Sequence, residues 1–427
     1  MANETETFDV VVVGAGAAGL FAAAAAASAG YSVLVLEKNR KIGVKILISG
    51  GSRCNVTHDC SFREVAAAFG HAERFLLSAL GKLTPQMVVE LIERLGVATY
   101  VEEHTGKVFP ISDRALDVRD ALHQRAVDAG AEFLCHCPLR ELKKSEGRFQ
   151  LFTDHRTFEA QAVILTSGGQ SYPGCGTTGD GYAWASRFGH RITSPHPALT
   201  PLVSPSPWVH ELSGIALEDT VVTALSPQDR PMGSARTATL FTHFGLSGPG
   251  PMDVSRYITL PEEGHANRVA IDLLPQVSAD ELLSSWRQHA AANGRQILAN
   301  LPTGGLPGRL VEQVFSAAGA PAQRRLAEVS KSEWELARQA IKQCRIDISG
   351  TRGYEKAEVT AGGVALDEVN SRTMESRLVP GLFFAGEILD VDGPIGGYNF
   401  QAAFSTGDLA GCSAANYIKS CDPLANR

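Results

Sequence analysis

The stretch Phe8-Asp9-Val10-Val11-Val12-Val13-Gly14-Ala15-Gly16-Ala17-Ala18-Gly19 decides how this chain is read. Phe8 to Val13 is an apolar, β-branched run of the kind that lies in a parallel sheet covered on both faces. Three glycines in the pattern GxGxxG follow it. Ala17 to Ala29 is alanine-rich and of high helix propensity, and Gly30 ends it. Ser32 to Leu36 reads as the next strand, closing in Glu37, 18 residues beyond Gly19. This is a βαβ unit, whose parallel strands need a right-handed crossover. The spacing carries chemistry. Gly14 permits the tight turn, Gly16 lets a pyrophosphate approach the backbone, and Gly19 lets helix and strand close on each other. The helix N-terminus supplies unpaired N–H groups and the positive end of the dipole. Glu37 suits a ribose diol. Glycines, flanking strands and acid together specify a dinucleotide site; they leave NAD and FAD both open.

Working outward, 427 residues with 44% hydrophobic content imply two or three domains. A net charge of −7 argues against a general polyanion binder but leaves local patches open. Residues Val10 to Leu36 are uncharged and long enough to mimic a membrane span. Gly14, Gly16, Gly19 and Gly30 divide them into pieces too short to cross, so no membrane contact is expected. The acidic N-terminal residues lack the basic region of a secretory signal, and a cytoplasmic protein is expected. Eight scattered cysteines without a CxxC pair read as reduced thiols, and no His/Cys spacing suggests a metal.

The remaining chain changes character several times. Helices are expected near Phe62–Leu80, Pro85–Leu95 and Asp117–Ala129, and strands at Glu132–Cys137, Phe149–Thr153 and Ala162–Thr166. Residues 195–275 carry short alternating runs rich in Pro, Ser and Thr, the mark of a small β domain. Residues 278–345 turn helical, and strands and glycines return after Ser349. A second GxGxxG, Gly174 to Gly179, is discounted: the strand before it ends near Thr166, and Pro173 intervenes. It reads as a loop near the active site. Gly381 to Glu387 is a short apolar strand ending in glycine and acid. Asp390, Asp392, Gly393, Gly396 and Gly397 follow, and Tyr398-Asn399-Phe400-Gln401 opens a helix to about Leu409. Free N–H groups at Asn399–Gln401 would stabilise the negative charge of a reduced flavin near N1 and O2. The plain alternative is a structural glycine-rich turn.

Several segments resemble the BaiN/YhiN-type flavoproteins, also called aminoacetone-oxidase-like FAD-binding enzymes. They are Lys45 to Thr57 (KILISGGSRCNVT), Gly106 to Ser112, Gly168 to Pro173, Thr177 to Tyr182, Leu240 to Pro249, Val359 to Val364 and Gly386 to Gln401. Two residues depart from the pattern: Ser52, where the family usually has Gly, and His58, where it usually has Asn. The resemblance implies an α/β fold: an FAD-binding Rossmann-like domain of the two-dinucleotide-binding-fold type, with an inserted β-barrel-like domain and a helical domain. The boundaries expected are 1–190 and 350–427 for the FAD domain, 191–275 (with about 345–352) for the β part and 276–344 for the helical part. It further implies that Gly14, Gly16 and Gly19 hold the pyrophosphate and that Glu37, with Lys38 beside it, holds the adenosine ribose. Leu139 would offer backbone to adenine. Gly386, Glu387, Asp390, Gly397, Asn399, Phe400 and Gln401 would line the ribityl and flavin side, and Lys45, Arg53, Cys54 and Asn55 the isoalloxazine.

An FAD oxidoreductase that reduces an activated C=C bond needs a proton donor as well as a hydride. Cys54, Tyr172, His243 and Tyr398 are the candidates, each with packing or structural duty as its alternative. The resemblance points three ways: reduction of a steroid-like enone, oxidation of a small amine by an FAD-dependent amine oxidase, and reduction of uridine in ribosomal RNA to dihydrouridine. A flavin-bound RNA- or ribosome-binding protein without turnover is a rival from another class. With no second nucleotide fold, either NAD(P)H acts as a transient electron donor at the flavin face or electrons come from a partner. Residues 295–345 hold eight basic side chains against four acidic ones, which leaves about −11 on the rest. This helical segment is either a face for a phosphate backbone, ribosomal RNA among them, or an ordinary solvated surface.

Overall fold

The computed structural model describes residues 5–260 and 265–421. The chain divides into two compact units, Met1–Pro195 with Val359–Arg427, and His196–Glu358.

The first unit is built on a seven-stranded sheet. Its strands, labelled β1 to β7, are Thr5–Val13, Val33–Leu36, Ala131–Leu134, Leu139–Ser145, Arg148–Thr153, Thr157–Leu165 and Leu382–Phe384. The spatial order is β3-β2-β1-β6-β5-β4, with β7 also on β6. The β1–β2, β1–β6, β2–β3 and β6–β7 pairs are parallel, whereas β4-β5-β6 is an antiparallel meander. Val10 to Val13 and Val33 to Leu36 are buried throughout, as an apolar run covered on both faces requires. The uncharged stretch that mimics a membrane span is therefore sheet and helix inside a core. A second stretch, Gly70–Arg94, is also long and apolar enough to cross a membrane. Here it contains two helices, Glu73–Lys82 and Pro85–Arg94, parted by Leu83 and the capping Thr84.

Between β1 and β2 runs helix α1, Ala17–Ser28, with Ala18 to Ala27 all buried. Its alanines admit helix α2, Tyr398–Cys421, at close range. A Cβ on Gly407 would stand 2.3 Å from the Ala18 carbonyl oxygen, and one on Gly411 2.3 Å from that of Ala22. Two glycines that weaken α2 by about 1 kcal/mol each relative to alanine thus allow backbone-to-backbone packing. The helix runs on past the expected end at Leu409 for this reason.

The second unit holds another seven-stranded sheet, dominated by the hairpin Ala216–Leu225 and Pro231–Thr242. Helices Ala279–Ala292, Gly308–Ala317 and Lys331–Lys342 share one core with it. Trp286, Phe315, Trp334 and Ile341 belong to the same buried cluster as Val222, Val269 and Ile271.

Candidate functional site

Each glycine of the first turn has a distinct environment. Gly14 has φ +107°, and a Cβ there would lie 2.7 Å from the Thr166 carbonyl oxygen. A Cβ on Gly19 would fall 1.9 Å from the carbonyl oxygen of Gly14. Gly16 is the opposite case: its φ of −83° suits any residue, and nothing lies within 4 Å of the Cβ it lacks. Two glycines are closed by backbone, and the middle one faces open space at the N-terminus of α1. That terminus has no side-chain cap and no acidic residue in its first turn, so its leading N–H groups and dipole are presented to an anion. Glu37, buried, faces the same turn. Its Oε2 accepts the Ala15 N–H at 2.8 Å, and its Oε1 accepts the Asn39 N–H at 2.8 Å. Each oxygen keeps a lone pair for a ribose hydroxyl.

The second glycine turn meets the first. Gly386 has φ +75°, and a Cβ there would stand 2.8 Å from the Cβ of Ala18 in the first turn of α1. The Gly386 N–H donates to Thr406 Oγ1 of α2, and Ala385 donates to Leu165 at the end of β6. The next residue, Glu387, anchors a half-buried network. Lys45 Nζ lies 2.5 Å from Glu387 Oε2 and 2.6 Å from Ser171 Oγ. Glu387 Oε1 accepts from the Thr360 N–H at 2.8 Å and from the Ser171 hydroxyl. Thr360 Oγ1 in turn accepts the N–H groups of Gln170 and Ser171. Ser171 and Thr360 had no local signal to mark them as partners of Lys45 and Glu387.

Other expected residues fall around these turns with varied roles. Lys38 Nζ binds Thr178 at 2.6 Å and Asp180 at 2.5 Å, and Asn39 donates to the Cys175 carbonyl. The discounted glycine motif is thus a loop tied across the end of β2. Arg53 lays its guanidinium 3.9 Å above the Phe109 ring, with Tyr100 Oη at 3.4 Å, Glu102 at 3.5 Å and Asp113 at 4.0 Å. Asn55 is buried; with its amide oxygen turned toward Gly397, it accepts that N–H at 3.0 Å and donates to the Thr57 carbonyl. Gly397 has φ +91° and presses on Thr57, where a Cβ would be 2.5 Å from the backbone. Asn399 clamps the preceding turn, accepting the Gly393 N–H and donating to the Gly393 carbonyl. Phe400 stacks on Phe404. Gln401 is turned inward: Thr57 donates to its oxygen, its amide donates to Leu83 and Ser405, and its N–H bonds Gly397. The N–H expected free at this residue is therefore engaged within the helix. Asp390 offers its carbonyl to His71 Nε2 at 3.1 Å, with its carboxylate at 3.5 Å. The hydrogen bond that His71 donates to the Asp390 side chain holds the imidazole above its ordinary pKa, against the opposing effect of burial. Leu139 is buried at the start of β4.

The four candidate proton donors differ sharply. Cys54 is fully buried, and burial pushes its thiol up to about 12 against the smaller opposing effect of a Ser49 hydrogen bond. It is a neutral, packed thiol at physiological pH. Tyr172 sits at φ +55°, ψ +64°, a left-handed conformation that is costly for an aromatic residue. Hydrogen bonds flank it: the Cys175 N–H donates to the Tyr172 carbonyl, and the Thr177 hydroxyl donates to the Ser171 carbonyl. Tyr398, the first residue of α2, stacks on His58 with ring centres 4.8 Å apart and 21° between planes. His243 belongs to the second unit, exposed beside Phe244.

The family model described as HI0933-like protein Rossmann domain matches residues 8–413. The chain belongs to this HI0933-like family. It is 35% identical over 405 residues to a ribosomal RNA dihydrouridine synthase of Escherichia coli, covering 94% of this chain and 96% of that protein. A Haemophilus influenzae protein of the same name is 35% identical over 93% of this chain and 96% of its own length. A 3-dehydro-bile acid delta(4,6)-reductase of Clostridium scindens is 31% identical, covering 95% and 98%. Among solved structures, E. coli quinol fumarate reductase FrdA superposes with a TM-score of 0.52 at 17% identity, covering 99% of this chain and 72% of that one. A 3-ketosteroid-delta4-(5alpha)-dehydrogenase from Rhodococcus jostii gives 0.50 at 16%, covering 97% and 98%. These two share the fold. In this HI0933-like chain, Ser52 sits at φ +70°, where the glycine usual at that place carries no strain. His58, the other departure, is the ring on which Tyr398 rests, and its Nδ1 lies 3.0 Å from the Gly396 carbonyl oxygen.

Proposed function

We propose that this chain is an FAD-dependent oxidoreductase that reduces an activated carbon–carbon double bond, and that its substrate is uridine in ribosomal RNA. The observation that carries the reading is the meeting of Gly386 with Ala18, which sets the second glycine turn against the anion-presenting end of α1. One dinucleotide then spans both turns. The open face of Gly16 admits the pyrophosphate, and Glu37 takes the ribose diol with its remaining lone pairs. Bound FAD supplies the hydride chemistry.

The chain's own residues do the rest. Lys45, fixed between Ser171 and Glu387, would hold the flavin end of the cofactor by donating a hydrogen bond to it. Reduction of a double bond conjugated to a carbonyl places negative charge on the carbonyl oxygen. The Arg53 guanidinium is preoriented by the Phe109 face, and its carboxylate neighbours at 3.5 and 4.0 Å stand beyond ordinary hydrogen-bond length. It donates to that oxygen. The Tyr398 phenol, held by the His58 stack, gives the proton to the carbon next to the carbonyl. The similarity to two ribosomal RNA dihydrouridine synthases over nearly the full length supports uridine over a small enone. A ribosomal substrate makes the protein cytoplasmic.

The experiment is nucleoside mass spectrometry of ribosomal RNA from a strain lacking the gene. Loss of one dihydrouridine, restored by the wild-type gene, is the expected result. An unchanged profile overturns the RNA substrate and returns the choice to small enones.

A further inference from the structure

We propose that Arg295 and Arg325 form a two-cation lip that docks the phosphate backbone of the RNA substrate. The proposal rests on the RNA reading above. By count, residues 295–345 are a basic segment, but the structure divides that count. Arg324 binds Glu333 at 2.5 Å, Arg338 binds Glu335 through two nitrogens, and Arg345 binds Asp229 at 2.9 Å. Lys342 lies 2.7 Å from Asp272 and also donates to the carbonyls of Leu274 and Val277. These four cations are neutralised inside the second unit. Arg309 reaches the Ser213 carbonyl at 3.3 Å. Among the described residues, Arg295, Arg309, Arg325 and Lys331 have no acidic partner, and all four are exposed.

The backbone brings two of them together. Residues 294–297 and 324–327 run antiparallel about the bridge Ile297–Arg325. Leu298 N–H donates to the Arg324 carbonyl at 2.8 Å, Leu326 N–H to Gln296 at 2.8 Å, and Ala327 N–H to Gly294 at 3.1 Å. A Cβ on Gly294 would be 3.1 Å from that of Ala327, so the segments close tightly at the Arg295 end. Beneath, Leu298 and Leu326 are buried and pin both segments to the core. Two arginines on one short, anchored ladder, 30 positions apart in sequence, make a fixed pair of cations with their donor forks in water. Glu328, one turn beyond Arg325, is the nearest acid in the chain on that side, and it forms no ion pair among the described residues. Planar guanidinium forks bind phosphate bidentately, and each neutralised phosphate releases condensed counterion.

The release gives the test its number. Holoenzyme affinity for a 30-nucleotide single-stranded RNA of mixed sequence is measured by fluorescence anisotropy across KCl concentrations. For single strands the slope of log K against log salt is about −0.7 per phosphate engaged, so the R295A/R325A variant should lose about 1.4 units of slope. R338A, whose cation is already paired with Glu335, should change the slope by much less, and all three proteins should keep the same flavin spectrum and thermal midpoint. RNA binding with an unaltered slope in R295A/R325A overturns the lip and leaves the RNA reading standing. Wild-type protein that binds no RNA at low salt overturns both.

Discussion

Gly16→Ala separates folding from cofactor binding more cleanly than any other single change in the first turn. The φ of −83° and ψ of −166° at Gly16 are open to alanine, and the new methyl meets no atom within 4 Å. Two small backbone effects oppose each other. Alanine is a poorer N-cap than glycine by about 0.5–1 kcal/mol, and it removes about 0.4–1 kcal/mol of unfolded-state entropy. The protein without flavin should therefore melt within about 2–4 °C of wild type. With flavin the outcome differs, because the methyl occupies the approach to the α1 N–H groups. Loss of two charge-assisted hydrogen bonds to the pyrophosphate, at about 1.5–3 kcal/mol each, weakens FAD binding by about 10²- to 10⁴-fold. The assay is a thermal scan with and without FAD, supported by a fluorescence titration. A ligand at about 1,000 times its Kd adds about 4.1 kcal/mol to wild type, and the variant should forfeit most of that gain. Gly19→Ala is the contrasting control: its Cβ would lie 1.9 Å from a backbone oxygen, and the protein should fail to fold with or without flavin. If FAD raises the midpoint of G16A as much as that of wild type, the phosphate does not sit on α1 and the cofactor placement is wrong.

Two further changes probe the chemistry and the second turn. Tyr398→Phe keeps the ring on His58 but removes the hydroxyl, so the rate of substrate-driven reoxidation of pre-reduced enzyme should fall by about 10²- to 10⁴-fold with the flavin spectrum unchanged. An unchanged rate would remove Tyr398 as donor and direct attention to Tyr172→Phe. The His71–Asp390 contact makes stability pH-dependent. Because the folded pKa of His71 is raised, its contribution is fully present below the unfolded value of about 6.5 and fades as pH rises through the folded value. The ring is half-exposed and screened, so the wild-type advantage over H71N should be about 1–2 °C near pH 5.5 and should shrink steadily as pH rises above neutrality. A gap that widens with pH would contradict the assignment.

The parts of this molecule legible in the sequence are those whose physics is local. β1, the glycine turn, α1, β2 and Glu37 occupy one continuous stretch, and each choice within it agrees with its neighbours. What stayed hidden is non-local. Lys45 finds Ser171 across 126 positions and Glu387 across 342, and Thr57 finds Gln401 across 344. No periodicity encodes such pairings, so Gln401 read as a donor toward the flavin although its side chain ties α2 to the Thr57 segment. The helix expected to end near Leu409 contains Gly407 and Gly411. Inside a helix they look like a weakening or an end, and only the approach of the α1 backbone explains why the helix continues through them. Charge shows the same limit. The eight basic residues of 295–345 are visible to counting, yet Asp272 and Asp229, which neutralise Lys342 and Arg345, lie outside that segment. A composition window cannot see a partner that folding delivers from elsewhere. For this reason the cations left for a polyanion are Arg295, Arg309, Arg325 and Lys331 rather than the segment as a whole.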